Sequence, residues 1–137
     1  MGAVFDSLMA GVPVMIAHFL GAIAVFVLGI LVYNWLTPFH ELNLIRQGNS
    51  AAGISAAGAT LGLALPIAGA LAGSVNLLDL LLWGLAALVI QILTFVIVSV
   101  AIRRLVDAIN RGEMAAALLL AGVQVSVGLI NAAAVRG

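Results

Sequence analysis

The 137-residue chain is 65% hydrophobic and 7% charged, with zero formal net charge and a mean hydropathy of +1.32. Soluble domains carry about 25% charged residues, so this composition marks an integral membrane protein folded as one domain, residues 1–137. A neutral chain excludes the electrostatic footprint of a nucleic-acid binder, and the absence of cysteine excludes disulfides, thiol nucleophiles and thiolate metal sites.

The first predicted element spans 8–36. No Lys or Arg precedes it, so the basic start of a secretory signal is missing and the segment reads as a retained transmembrane helix. Pro13 sets a kink or an interfacial bend at its outer end. The polar stretch 37–50 follows. Thr37 reads as an N-cap and Pro38 as the first residue of a short amphipathic helix. Phe39, Leu42 and Ile45 form its apolar face, with His40, Glu41, Asn43 and Arg46 on the other. Gly48 closes it in a left-handed cap, and Asn49 or Ser50 caps the next span.

The second span, 51–75, is rich in small residues and holds two GxxxG pairs, Gly58 with Gly62 and Gly69 with Gly73, which let helix backbones approach. Pro66 is expected to kink it. The third span, 80–102, is bulky, and it is expected to run on without a break as far as Arg111, carrying i,i+4 pairs from Arg103 to Asp107 and from Asp107 to Arg111. Gly112 stops that helix and Glu113 favours the start of the fourth span, 114–135, where Gly122, Ser126, Gly128 and Ala132 repeat the small-residue theme more weakly. The simplest packing buries spans two and four centrally and leaves much of one and three against lipid. None of the four spans contains Asp, Glu, Lys or Arg, and continuous apolar runs fit helices, not alternating barrel strands.

Orientation follows from arginine, the only basic residue type present. Arg46, Arg103, Arg104 and Arg111 lie in the two polar turns and only Arg136 lies on the other side. The positive-inside rule places the turns in the cytoplasm and both termini outside. Tyr33 and Trp35 fit the inner interface, and Phe5 and Trp83 the outer one.

A shift of 64 residues lays Ile45 on Ile109, Gly48 on Gly112, Ala51–Ala52 on Ala115–Ala116 and Gly58 on Gly122. The fold expected is therefore all-α: four transmembrane helices as two parallel hairpin repeats, about 8–75 and 80–137, related by a pseudo-two-fold axis along the membrane normal.

The run IRQGNSAAGISAAGATLGLAL, through Ile45, Gly48, Asn49, Ala51, Ala52, Gly58 and Gly62, resembles the YjfL-like family over nearly the whole chain. The resemblance implies a bacterial inner (plasma) membrane protein of a domain-of-unknown-function class, with two copies of a two-span unit and membrane-scaffolding or envelope-stress associations. It supplies no catalytic residues. The second copy departs from the pattern, with Glu113 where Asn49 stands.

Four polar side chains fall at similar depth by helical rise, within ~6 Å: His18, Thr60, Gln91 and Gln124. Such residues are expected either to hydrogen-bond between helices or to line a wet, ion-conducting path in an oligomer. His18 reads as a pH gate or as a neutral hydrogen-bonded group, and His40, about 30 Å away, is too distant to share a metal with it. Asp6 and Asp79 read as an outer acidic ring or as solvated loop charges. No cofactor, metal site or catalytic set is expected, so the chain reads as a non-enzyme. Two functions stand side by side: a homo-oligomeric membrane scaffold presenting Arg-rich turns (Glu41, Arg46, Gly48, Asn49, Arg103, Arg104, Arg111, Gly112) to a cytoplasmic or membrane-scaffold protein partner, or an oligomeric ion or small-solute channel.

Overall fold

Four long apolar runs become four long helices in the computed structural model, which describes residues 1–36, 41–102 and 104–136. Helix α1 covers Gly2–Leu36, α3 Ser50–Gly73, α4 Leu77–Ala101 and α6 Met114–Arg136; the short helices α2, Glu41–Arg46, and α5, Leu105–Asn110, occupy the two turns. Each long helix has the length and hydropathy of a membrane span. Thr37, Pro38, Phe39, His40 and Arg103 lie outside the described residues, and with them the predicted cap at Thr37 and the Arg103–Asp107 pair.

The third span does not run on to Arg111. Helix α4 stops at Ala101, Arg104 takes a left-handed backbone (φ 71°), and α5 begins afresh at Leu105. A left-handed β-carbon costs about 1 kcal/mol, which burial of Leu105, Ala108 and Ile109 beneath the bundle offsets. The Asp107–Arg111 pair does not form. Gly112 reverses the chain at φ +81°, and Arg111 instead meets Glu113, Nη2 to Oε1 at 2.9 Å.

Both turns close with the same hydrogen bonds. Gly48 N–H donates to the Ile45 carbonyl and Asn49 N–H to that of Leu44; Gly112 N–H donates to Ile109 and Glu113 N–H to Ala108. This is the Schellman pattern, and it needs a left-handed residue where Gly48 (φ +85°) and Gly112 stand.

The long helices form two parallel pairs. Helix α3 packs on α6 so closely that a Cβ on Gly58 would lie 2.4 Å from Ala121 Cα, one on Gly62 2.8 Å from the Gln124 carbonyl oxygen, and one on Gly69 2.5 Å from that of Ala132. Gly73 approaches Arg136 more loosely, at 3.3 Å. Helix α1 lies along α4, with Gly29 against Leu88 and Gly84 against Val25. The helix runs through Pro66 without ending. That ring leaves the Gly62 carbonyl without its helical donor, and Gly128 fills the place: a Cβ there would lie 2.8 Å from that oxygen.

Two expectations about packing need correction. Gly122 is exposed and a Cβ there would meet nothing within 4 Å, so of the two glycines expected to pack from α6 only Gly128 does. And α3 alone is central: half of its apolar window is buried, against 28% for both α4 and α6 and 17% for α1. Its small residues let three neighbours touch it at once, while the outer face of α6 carries Leu118, Leu119, Leu129 and Ile130 to the surrounding lipid.

Candidate functional site

The buried polar groups collect on one seam, beginning at Glu41. The predicted amphipathic helix is rotated from expectation: Glu41 is only 4% exposed, whereas Leu42 is 60% exposed. The reason is local. The Tyr33 hydroxyl donates to Glu41 Oε1 at 3.0 Å, and the Ser55 hydroxyl donates to the same oxygen at 3.3 Å. Burial pushes the Glu41 carboxyl up to about 7, and the two hydroxyls pull it partly back. A cavity of about 100 Å³ adjoins it, between α1, α2 and α3.

Tyr33, expected at the lipid interface, is instead a core residue. Its ring meets Phe95 edge-on at 5.2 Å between centroids, because the hydroxyl has a buried partner to reach. Trp35 stays exposed, as do Phe5 and Trp83.

Beside the Tyr33 phenol stands Gln124, whose Nε2 completes no hydrogen bond. Gln91 donates its Nε2 to the Gln124 backbone carbonyl at 3.1 Å, and its Oε1 is left without a partner. About two turns further along α6, Asn131 donates to the Ala87 carbonyl at 3.2 Å, and its Oδ1 is likewise unpartnered. The structure thus brings Gln91 and Gln124 together but not the other two members of the expected midplane cluster. The hydroxyl of Thr60 bonds the Ala56 carbonyl of its own helix at 2.7 Å, and His18 Nδ1 lies 2.9 Å from the Val14 carbonyl oxygen of its own. Both side chains find a backbone partner one turn back on a surface-facing stretch of helix, so nothing draws them inward.

The second part of the site is the pair of turns. Asn49 caps α3, accepting from Ala52 N–H at 3.1 Å, while its amide donates across to the carbonyls of Ile109 at 3.0 Å and Asn110 at 3.2 Å. One side chain therefore starts a helix and ties the first turn to the second. Between the turns lies a cleft of about 500 Å³ bordered by Gln47, Ser50, Asn110 and Arg111. Arg111 borders it, and Arg46 and Arg104 are exposed on the same two turns. At the opposite end Asp79 is a capping residue, not a free loop charge: Asn76 accepts from Asp79 N–H at 2.9 Å, and the Asp79 carboxylate accepts from Val75 N–H at 3.1 Å.

The profile of the family described as Domain of Unknown Function (DUF350) matches residues 7–135. The chain belongs to the DUF350 family. The protein called UPF0719 inner membrane protein YjfL in Escherichia coli K12 is 32% identical over 130 residues, covering 95% of this chain and 96% of its own. Its counterpart in Escherichia coli O157:H7 matches equally. No solved structure matches. With four span-length apolar helices, this DUF350 member is an integral membrane protein.

Asn131 meets the expectation that it satisfies a neighbouring helix, whereas sequence reasoning missed Ser55 as a member of the seam. Ser55 carried a signal: it shares a face with Ala51, Gly58 and Gly62, and a hydroxyl on a close-packing face has to find a buried acceptor.

Proposed function

We propose that the chain is a non-enzymatic component of the bacterial inner membrane, an oligomeric scaffold or envelope-stress element whose two turns form one rigid cytoplasmic platform for a protein partner. The observation that carries this reading is the Asn49 clip, which holds both Arg-bearing turns in fixed relation around the cleft. The arginine distribution supports turns inside and both termini outside. The matching Schellman caps and the two parallel helix pairs support a descent from two hairpin repeats, 8–75 and 80–137. The outward face of α6, with Gly122 and Ser126 four residues apart and both exposed, supports self-association through small residues. The relatives' printed name supports the membrane assigned.

Photo-crosslinking in cells from Gln47 and Asn110 tests the platform. A protein adduct is expected, and reversing Arg46, Arg104 and Arg111 to Glu is expected to abolish it without changing protein level. Adducts to lipid alone, or an adduct indifferent to charge reversal, would refute the platform.

A second reading, a channel for ions or small solutes, is favoured by the three unpartnered amide atoms of Gln91, Gln124 and Asn131. A buried polar atom without a partner costs about 1–3 kcal/mol, a cost that water along the seam would remove. Planar-bilayer currents from purified protein would support it. Changing Gln91→Leu with Gln124→Leu is expected to abolish them, and unchanged current would reject the seam as the path.

A further inference from the structure

The Glu41 cavity is separate from the platform cleft, and nothing in the scaffold reading uses it. It is a wedge on the flank of the bundle, floored by Glu41 and Tyr33 and walled by Ile30, Leu42, Ile45 and Ala59. Leu42 and Ile45 are surface residues, so the wedge opens sideways, toward the bilayer at the turn end, and not along the bundle axis. Glu41 is buried there, and both hydroxyls that reach it, Tyr33 from α1 and Ser55 from α3, converge on one oxygen, Oε1. Oε2 receives no donor from the described residues. The other charged group of α2, Arg46, is exposed at its far end, and the ion pair formed among the described residues is Arg111–Glu113, on the other turn. The neighbouring His40 lies outside the described residues.

We infer that this wedge is a binding site for a primary ammonium group carried on an apolar stem, with the ammonium seated on Glu41 and the stem along Ile30, Leu42 and Ile45. The chemistry of the walls selects the ligand. A desolvated metal ion asks for a shell of oxygens; besides Glu41 and Tyr33 the polar side chains on the wall are Asn34 and Thr60, the Thr60 hydroxyl is already committed to the Ala56 carbonyl, and most of the wall is hydrocarbon. An ammonium needs few acceptors, gains a charge-assisted bond to the carboxylate, and leaves its methylenes on apolar surface. A volume of about 100 Å³ takes several water-sized groups, which suits an aminoethyl head. A sideways opening at headgroup depth makes an amino-phospholipid of that leaflet the expected source, and a free alkylamine the other.

The test uses the full chain, purified in detergent. Titration with hexylammonium, followed by calorimetry, is expected to saturate at one equivalent, whereas hexanol is expected not to bind. Glu41→Gln is expected to weaken hexylammonium at least tenfold. Because that variant removes a buried group, Ala56→Leu serves as the second: it fills the cavity, leaves the carboxylate in place, and is expected to lose binding as well. Circular dichroism checks that both variants stay helical. Native mass spectrometry of protein extracted from vesicles of equal phosphatidylethanolamine and phosphatidylglycerol distinguishes the sources. Glu41-dependent retention of phosphatidylethanolamine assigns a lipid, and hexylammonium binding without that retention assigns a soluble amine. Binding that survives both substitutions, or no amine binding in either arm, overturns the site.

Discussion

Gly58 and Gly122 stand 64 residues apart, yet their surroundings differ completely. A Cβ at position 58 would lie 2.4 Å from the Ala121 Cα and 2.5 Å from its Cβ, while a Cβ at 122 would meet nothing within 4 Å. An ordinary carbon–carbon contact is about 3.5 Å, so Gly58→Ala must push α3 and α6 apart by about 1 Å. The atom in the way is backbone, which no rotamer change can move. Overpacking of this kind costs about 1–3 kcal/mol, and the separation also loosens the Gly62 and Gly69 contacts below it. Gly122→Ala carries no such penalty and gains helix propensity, up to about 1 kcal/mol. The two substitutions are therefore expected to differ by about 1–4 kcal/mol and in sign. Unfolding in mixed micelles, followed by circular dichroism, measures both. Equal effects at the two positions, or a Gly58→Ala protein as stable as the parent, would refute the backbone-to-backbone packing of α3 on α6.

Three further substitutions probe the turns and the seam. Asn49→Ala removes a cap and two bonds to the other turn, for an expected loss of about 1–2 kcal/mol; Glu113→Ala, at the matching position, removes an exposed ion pair and is expected to change stability by no more than about 1 kcal/mol in the same unfolding assay. Gly48→Ala and Gly112→Ala each force a β-carbon into a left-handed cap, for about 1 kcal/mol apiece by the same measurement. The native protein also holds the Glu41 proton more tightly than the unfolded chain does. Stability is therefore expected to fall as pH rises from about 4.5 to about 7, by about 3 kcal/mol in all, and Glu41→Gln is expected to remove that slope in unfolding midpoints taken across the window.

The four spans were legible because bilayer thickness and backbone hydrogen bonding leave a long apolar run little choice. The turns were legible for a different reason: a Gly followed by a capping residue specifies its own hydrogen bonds, and Gly48 and Gly112 form them as read. The end of α4 was not legible. Residues 101–104 contain no Pro or Gly, and the break comes from tertiary burial of Leu105 and Ile109, which local propensity does not register. Of the midplane cluster, the depth of Thr60 was readable, but its azimuth and the depth of His18 were not. Helical rise put all four at one level, and Thr60 lies there, two residues from the Gly62 that meets Gln91 and Gln124, though on the outer face; Gly21 packs at Leu77 and Gly29 at Leu88, which leaves His18 about 20 Å along the pair from Gln91.

Glu41 shows where reading by amphipathicity reverses. The rule that charge faces outward assumes water outside. On α2 the surroundings at the turn end are partly hydrocarbon, so Leu42 gains by facing out, and the carboxyl gains by facing two hydroxyls. A Glu at this place is costly to bury and simple to replace with a neutral residue of the same shape. Had the position served packing alone, Gln would donate and accept there without the desolvation cost. A carboxyl can do one thing there that Gln cannot, which is to gain or lose a charge. Comparing Glu41→Gln with Glu41→Asp separates the two roles. If the charge matters, Asp is expected to retain part of the ammonium binding and part of the pH slope, while Gln retains neither. If Gln and Asp behave alike in both measurements, the residue is a packing element and the site has no charge-dependent role.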